Sequence, residues 1–283
     1  MVKYLGYRLA QGLSLSLPAP CAFGWAEQLA DLQWHGSAKD RAAVQGNLQA
    51  LLGRAISERS PVVRDVFRNF GRYLVEFFTI HRVKRPEVQV EGVEYLVDAQ
   101  RRGRGAIVFT AHLGNWEVGA IVIHRMGFPV TVVALPHEDP RMDRLFNGQR
   151  LRCGIQVIPL GDHAAQRSLH SLRQGHLLGI LGDRAFTGRG VPIVCGNQQL
   201  LLPRGPAILS LRGGTPVVPT FLVREDVWSF RLYVEPPMWP EAQDGEEASV
   251  QSLTQRYAAV MERYVKRFPN QWLMFQPLGQ VAG

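Results

Sequence analysis

Apolar residues recur along this chain at two spacings, and the spacing changes near residue 85. Before that point they fall three or four apart. Leu5, Leu9, Leu13 and Leu17 share one helical face, and Phe67, Phe70, Tyr73, Leu74, Phe77 and Phe78 make a broad stripe. The pattern predicts an N-terminal helical segment over residues 1–85, with a first helix ended by Pro18 and Pro20 and two more through 41–52 and 62–80. Pro61, after Ser60, suits the start of the last one. An aromatic stripe at this spacing is ordinarily core; the other reading is the wall of an apolar tunnel.

From Val88 onward short apolar runs replace the stripes. Strands are expected at 88–90, 106–110, 130–135, 156–160, 177–181, 216–223 and 230–234, with helices at 93–101, 115–126, 141–153, 164–174, 206–213 and 248–267. Strands alternating with helices of this length predict an α/β fold, an αβα sandwich with a mostly parallel central sheet, over residues 86–283. No repeat or long linker separates this part from the helical one, so a single domain is expected. Pro219 inside the run 216–223 implies a bulge or a sheet edge.

One of the apolar runs ends in polar residues of distinct chemistry: Ile107-Val-Phe-Thr-Ala-His112-Leu-Gly-Asn115-Trp-Glu117. It reads as a buried strand, a one-turn loop and a new helix, with Gly114 free to turn and Asn115 suited to cap. His112 and Glu117 cannot stack on one continuous helix, where partners lie three or four apart. A turn between them would fold Glu117 back onto the imidazole, as a base and its orienter require. A lone histidine at a strand end is ordinarily a satisfied polar residue, and on the histidine alone that reading stands beside the catalytic one.

Two further segments carry arginines. Gly182-Asp183-Arg184 follows the strand at 177–181 and runs into Gly188-Arg189-Gly190, a turn that could cradle an anion or be no more than a turn capped by Asp183. It is neither a Walker loop nor a dinucleotide fingerprint. The helix at 141–153 carries Arg141, Arg144, Arg150 and Arg152, either a solvated face or an anion-binding one.

The charge balance adds direction. Over 283 residues, 32 Lys and Arg against 24 Asp and Glu leave a net charge of +8, which suits phosphate-bearing substrates, an acidic carrier protein or an anionic membrane surface. No nucleic-acid module is readable. The 3 cysteines are scattered and no metal-ligand spacing occurs, so neither a disulfide framework nor a metal site is expected. No Gly-x-Ser-x-Gly is present, which excludes the common serine-hydrolase elbow. The segment from Tyr4 to Leu17 is interrupted by polar residues and is shorter than the roughly 20 apolar residues of a spanning helix. It reads as an interfacial helix on a bilayer or as a helix docked on the domain.

The hexapeptide His112-Leu-Gly-Asn-Trp-Glu117 resembles the catalytic motif of the bacterial lipid A biosynthesis (lauroyl/myristoyl) acyltransferases, within the lysophospholipid acyltransferase superfamily. The blocks at 41–48, 141–152, 182–190 and 217–224 and the ending Pro269-Asn-Gln-Trp272 follow in the family's order. The resemblance implies an O-acyltransferase that moves a fatty acyl chain from an acyl carrier protein or coenzyme A thioester to a hydroxyl of a lipid A precursor, glycolipid or lysophospholipid. His112 would be the general base and Glu117 its orienter. Asn115, Arg150, Arg152, Asp183, Arg184 and Arg189 would serve the substrates, and backbone N–H groups near Gly114 and Asn115 the oxyanion. No cofactor beyond the thioester co-substrate is implied. The implied place is the cytoplasmic face of a bacterial inner membrane, held peripherally or by the N-terminus. A non-catalytic lipid-binding paralogue of the same fold is the alternative.

Overall fold

A computed structural model describes residues 2–185, 190–196 and 198–278 of the chain. Four helices open it: α1 (Val2–Ser16), α2 (Ala19–Gly36), α3 (Ala38–Leu52) and α4 (Pro61–Thr79). Pro18 and Pro20 do end the first helix, but they also begin α2, which the hydrophobic spacing did not reveal. Proline is tolerated in a first turn because that N–H has no helical partner anyway. Ser37 then separates α2 from α3 and caps the latter by accepting the Asp40 amide at 3.3 Å. Two arginines of α4, Arg64 and Arg68, both grip Asp31 of α2 at 2.6–2.9 Å, tying the pair together.

The rest alternates as expected: β1 (Glu87–Glu91), α5 (Val93–Arg101), β2 (Ala106–Thr110), α6 (Trp116–Arg125), β3 (Val130–Ala134), α7 (Pro140–Arg152), β4 (Gln156–Pro159), α8 (Ala164–Arg173) and β5 (Leu177–Leu181). After a hairpin of β6 (Gly190–Cys195) and β7 (Gln198–Pro203) come α9 (Gly205–Gly213), β8 (Val217–Asp226), β9 (Ser229–Val234) and α10 (Glu246–Arg267). The main sheet has 7 strands in the order β1-β9-β8-β2-β5-β3-β4. Every neighbouring pair in it is parallel except β8 with β9. The fold is therefore the αβα sandwich with a mostly parallel sheet, preceded by a helical segment.

Alternate residues of β2 enter two different cores, as the two-residue period of a strand demands. Ile107 and Phe109 pack with Leu209, Tyr257 and Met261 of α9 and α10, while Ala106 and Val108 pack with Val118 and Ile121 of α6. The hairpin β6–β7 turns Val191, Ile193, Leu200 and Leu202 into the first of these cores. Pro219 is not at a sheet edge, contrary to expectation. Its strand, β8, lies between β9 and β2, and Pro219 sits where the pairing with β2 ends and that with β9 begins. At that handover the missing N–H is not called on.

Candidate active site

Strands β2 and β5 run side by side in parallel, with Thr110 opposite Leu181. The Gly182 amide continues the ladder by donating to the Thr110 carbonyl at 2.8 Å. Two residues past each strand end therefore stand His112 and Asp183, at the carboxyl end of the sheet where open α/β folds bind ligands. The imidazole Nδ1 is 2.8 Å from Asp183 Oδ1, and the His112 amide donates to Oδ2, also at 2.8 Å. Trp272, from the segment after α10, donates its indole N–H to Oδ2 at 3.0 Å. Gly182 has no alternative at its position, because a β-carbon there would lie 2.0 Å from the Phe109 ring.

Glu117 is not the partner of the imidazole. It lies in the first turn of α6, and its two oxygens accept three hydrogen bonds from Arg150 of α7 at 2.5–3.2 Å. The helix turns Glu117 toward the neighbouring α7, while the sheet register brings Asp183 to the histidine. Asp183, expected on the substrate side, is instead behind the ring: its side chain is 0% exposed, against 20% for His112. Burial by itself pushes the Asp183 carboxyl upward. The His112 charge and the hydrogen bonds from the His112 ring, Trp272 and the His112 amide outweigh it and hold the group below the ordinary carboxylate range. A carboxylate only accepts, so Nδ1 carries the hydrogen and Nε2 is left with its lone pair.

The loop between His112 and α6 is fastened by its own backbone, and that overturns another expectation. The Gly114 amide donates to the Gln271 carbonyl at 2.9 Å and the Asn115 amide to the Leu222 carbonyl at 3.0 Å. Both N–H groups are committed and cannot meet an oxyanion. Gly114 adopts φ +64°, and a β-carbon there would lie 1.9 Å from the Leu222 carbonyl oxygen, so glycine is required twice over. Asn115 is fully buried rather than substrate-facing. It caps α6 by accepting the Val118 amide at 3.1 Å and donates to Glu76 Oε2 at 2.7 Å. Glu76 in turn holds the Arg224 guanidinium, which also donates to Asn69 at 2.7 Å, so the charges are paired and hydrogen-bonded, as burial requires.

A cavity of about 890 Å³ opens in front of His112. On one side it runs between α6 and the sheet, along Gly119, Ala120, Ile123, Val130, Val132, Leu177 and Gly179. On the other it reaches Arg184, Arg212 and the start of α9 at Arg204, Gly205 and Pro206. Gly119 and Gly179 make room: a β-carbon on either would lie 3.2 Å from Leu222 or Val132. The aromatic stripe of α4 serves both of its readings, since Phe67, Phe77 and Phe78 are buried while Phe70, Tyr73 and Leu74 line the cavity. Trp116 stacks on Tyr73, with ring centroids 4.5 Å apart, and stands at 76° to the His112 ring, with centroids 4.9 Å apart.

Of the predicted arginines, Arg150 and Arg184 line the cavity. Arg150 is also bonded to Asn147 at 2.7 Å; Glu117 more than offsets the burial that would lower its pKa, so it stays charged. Arg152 is exposed, bonded to Gln149 at 3.2 Å, and takes no part in the lining. Arg189 lies outside the described residues. Among the described residues no cluster of His, Cys, Asp or Glu is placed to hold a metal ion. Sequence reasoning missed Asp183 as the imidazole partner and Trp272 as its donor. The available signal was a polar residue two positions past each of two apolar strands, legible only once those strands are known to be neighbours.

The arrangement is a histidine backed by a buried carboxylate, on the wall of a largely apolar cavity that Arg150 and Arg184 also line. A family model described as bacterial lipid A biosynthesis acyltransferase matches residues 3–278. The chain is 26% identical over 240 residues to a phosphatidylinositol mannoside acyltransferase of Mycolicibacterium smegmatis, covering 82% of this chain and 77% of that one. It is 25% identical over 226 residues to a lipid A biosynthesis palmitoleoyltransferase of Escherichia coli, covering 76% and 70%. A lipid A biosynthesis acyltransferase of Haemophilus influenzae is 24% identical over 255 residues, covering 84% and 75%.

Proposed function

The chain belongs to the family of bacterial lipid A biosynthesis acyltransferases, and on that footing we propose that it moves a fatty acyl chain from an acyl carrier protein or coenzyme A thioester to a hydroxyl of a glycolipid or lysophospholipid acceptor. The observation that carries this reading is the His112–Asp183 pair, whose histidine lines a largely apolar cavity. Nε2 takes the proton of the acceptor hydroxyl as its oxygen attacks the thioester carbonyl carbon. The tetrahedral intermediate collapses, the carbon–sulfur bond breaks, and the proton on Nε2 goes to the departing thiolate. An ester and a free thiol result, with no acyl-enzyme. Asp183 keeps the hydrogen on Nδ1 and stabilises the imidazolium.

Arg150 supports the step from the other side. Held by Glu117 and Asn147, it retains guanidinium N–H groups beyond those it has committed, and it lines the same cavity as His112. There a fixed positive charge meets the oxygen on which negative charge develops. The apolar arm between α6 and the sheet suits the acyl chain. Arg184 and Arg204, on the other lip, suit the phosphate of a donor or acceptor.

The acceptor and the donor's chain are both lipidic, which fits a place at a membrane surface. Among the described residues no helix is long and apolar enough to cross a bilayer. Leu5 and Leu9 on α1 and Trp25, Leu29 and Leu32 on α2 are nevertheless exposed at 42–69%. Both sets follow helical spacing, and Tyr7 of α1 already lines the cavity. We therefore assign the chain to the cytoplasmic face of the inner membrane, lying on it through α1 and α2.

An acyl-transfer assay with purified wild type and His112→Ala tests the proposal. It would offer carrier-protein and coenzyme A thioesters of several lengths to lysolipid and lipid A precursor acceptors, with products read by mass spectrometry. The expected result is a transfer product with wild type and a loss of about 10²–10⁴-fold in rate for the folded variant. A variant that keeps the wild-type rate would overturn the mechanism. Lipid binding without product from wild type would turn the reading to the non-catalytic paralogue.

A further inference from the structure

The segment that follows α10 does more than close the fold. After α10, Pro269–Gln271 make a single tight turn and the chain then runs antiparallel to the histidine loop, with Leu113 bridged to Trp272. The Leu273 amide donates to the His112 carbonyl at 2.6 Å, and the Gln271 carbonyl receives the Gly114 amide. Remote anchors fix this segment. The Gln271 amide group bonds both the N–H and the carbonyl of Arg224, at 2.9 and 2.8 Å. Asn47 of α3 donates to the carbonyls of Met274 and Gln276 and accepts the Leu278 amide, at 2.8–2.9 Å. An indole this firmly held, 1% exposed, is aimed with its N–H at Asp183 Oδ2.

The two oxygens of Asp183 have separate duties. Oδ2 takes N–H groups from Trp272 and from the His112 backbone, which leaves Oδ1 to face the imidazole Nδ1. The carboxylate torsion is otherwise soft, with a broad two-fold well. Asp183 is shut off from solvent, so these donors set its plane, and Trp272 is the one among them that does not belong to the histidine itself. We infer that Trp272 is a positioning residue for acyl transfer: its indole N–H fixes the plane of the Asp183 carboxylate and so the direction in which His112 presents Nε2. The inference rests on the reading of His112 and Asp183 as base and orienter.

A donor lost to a buried carboxylate is worth roughly ten- to a hundred-fold in rate when the geometry it enforces is needed only for the chemical step. The test compares full-length wild type with Trp272→Phe and with Trp272 replaced by 3-benzothienylalanine. The latter keeps the indole's shape and packing and lacks only the N–H. Steady-state transfer kinetics and proton NMR of the imidazole Nδ1–H, assigned through its absence in His112→Ala, supply the readouts. The expected result for both replacements is kcat lower by roughly ten- to a hundred-fold, KM unchanged for donor and acceptor, and the Nδ1–H resonance shifted or broadened by exchange. A folded 3-benzothienylalanine protein with wild-type kcat and an unmoved resonance would overturn the inference even if Trp272→Phe unfolds. So would a loss confined to thermal stability, because packing alone would explain it. If His112→Ala itself stays active, the reading of the base fails, and that outcome differs from a silent Trp272 with a dead His112→Ala.

Discussion

Asp183 and Glu117 are both buried carboxylates beside one cavity, and each is bonded to a basic side chain, yet they do different work. Asp183 receives N–H groups from a backbone amide, an indole and an imidazole, all fixed by strands and by the segment after α10. Glu117 meets a guanidinium that carries its own permanent charge. In the proposed reaction the first arrangement tunes a group that gains and loses a proton, and the second holds a cation that never does. A carboxylate's role is thus set by its partner and not by its distance along the chain from a histidine.

The sharpest way to break this comparison is to neutralise each carboxylate in turn. Asp183→Asn turns an acceptor into a group with a donor, disfavours the Nδ1–H tautomer and is expected to lower kcat by about 10³–10⁴-fold with the fold intact. Steady-state kinetics on protein checked by circular dichroism would read it. Glu117→Gln keeps a hydrogen-bonding oxygen beside Arg150 and removes only the counter-charge. The expected cost is about 1–3 kcal/mol of stability in denaturant titrations and about ten-fold in kcat. Equal losses from the two variants would mean that both carboxylates belong to one catalytic unit, and the distinction would fall.

The smallest effect concerns pH. The Asp183 carboxyl is held below its ordinary value in the folded protein, its burial more than offset by His112 and Trp272. A depressed folded value means that the group adds stability above the unfolded value of about 3.9, and that this contribution disappears as pH falls through it toward the folded value. The stability gap between wild type and Asp183→Asn should therefore be widest near neutral pH and shrink below about pH 4. Urea unfolding of both proteins across that range measures it, and a gap independent of pH would contradict the assigned carboxylate state.

Much of the site was readable before its geometry. His112 stands at a strand end as expected, and Arg150 and Arg184 border the cavity. Asn115 was rightly seen as a cap and wrongly placed on the substrate side, because its amide group faces Glu76, an α4 residue 39 positions earlier. Helix α2 escaped notice because proline stops one helix as readily as it starts the next. The hairpin β6–β7 is not legible in the sequence because the glycines before it resemble a plain turn. The oxyanion amides near Gly114 failed as an expectation because their acceptors, Gln271 and Leu222, come from distant parts of the chain.

Short stretches of sequence carry local information: most of the helices and strands, α2 and the β6–β7 hairpin excepted, the alternation that implies a mostly parallel sheet, and the histidine that ends a buried strand before a capped helix. Periodicity, caps and turns act over a few residues, so a few residues suffice to read them. Tertiary packing sets β2 beside β5 with Thr110 opposite Leu181, and so places Asp183 and not Glu117 against the imidazole. It also decided that Trp272, 89 residues beyond Asp183, completes the group. Strand order and register are set by the packing of two whole cores, and no stretch of sequence short enough to read as a motif carries that information.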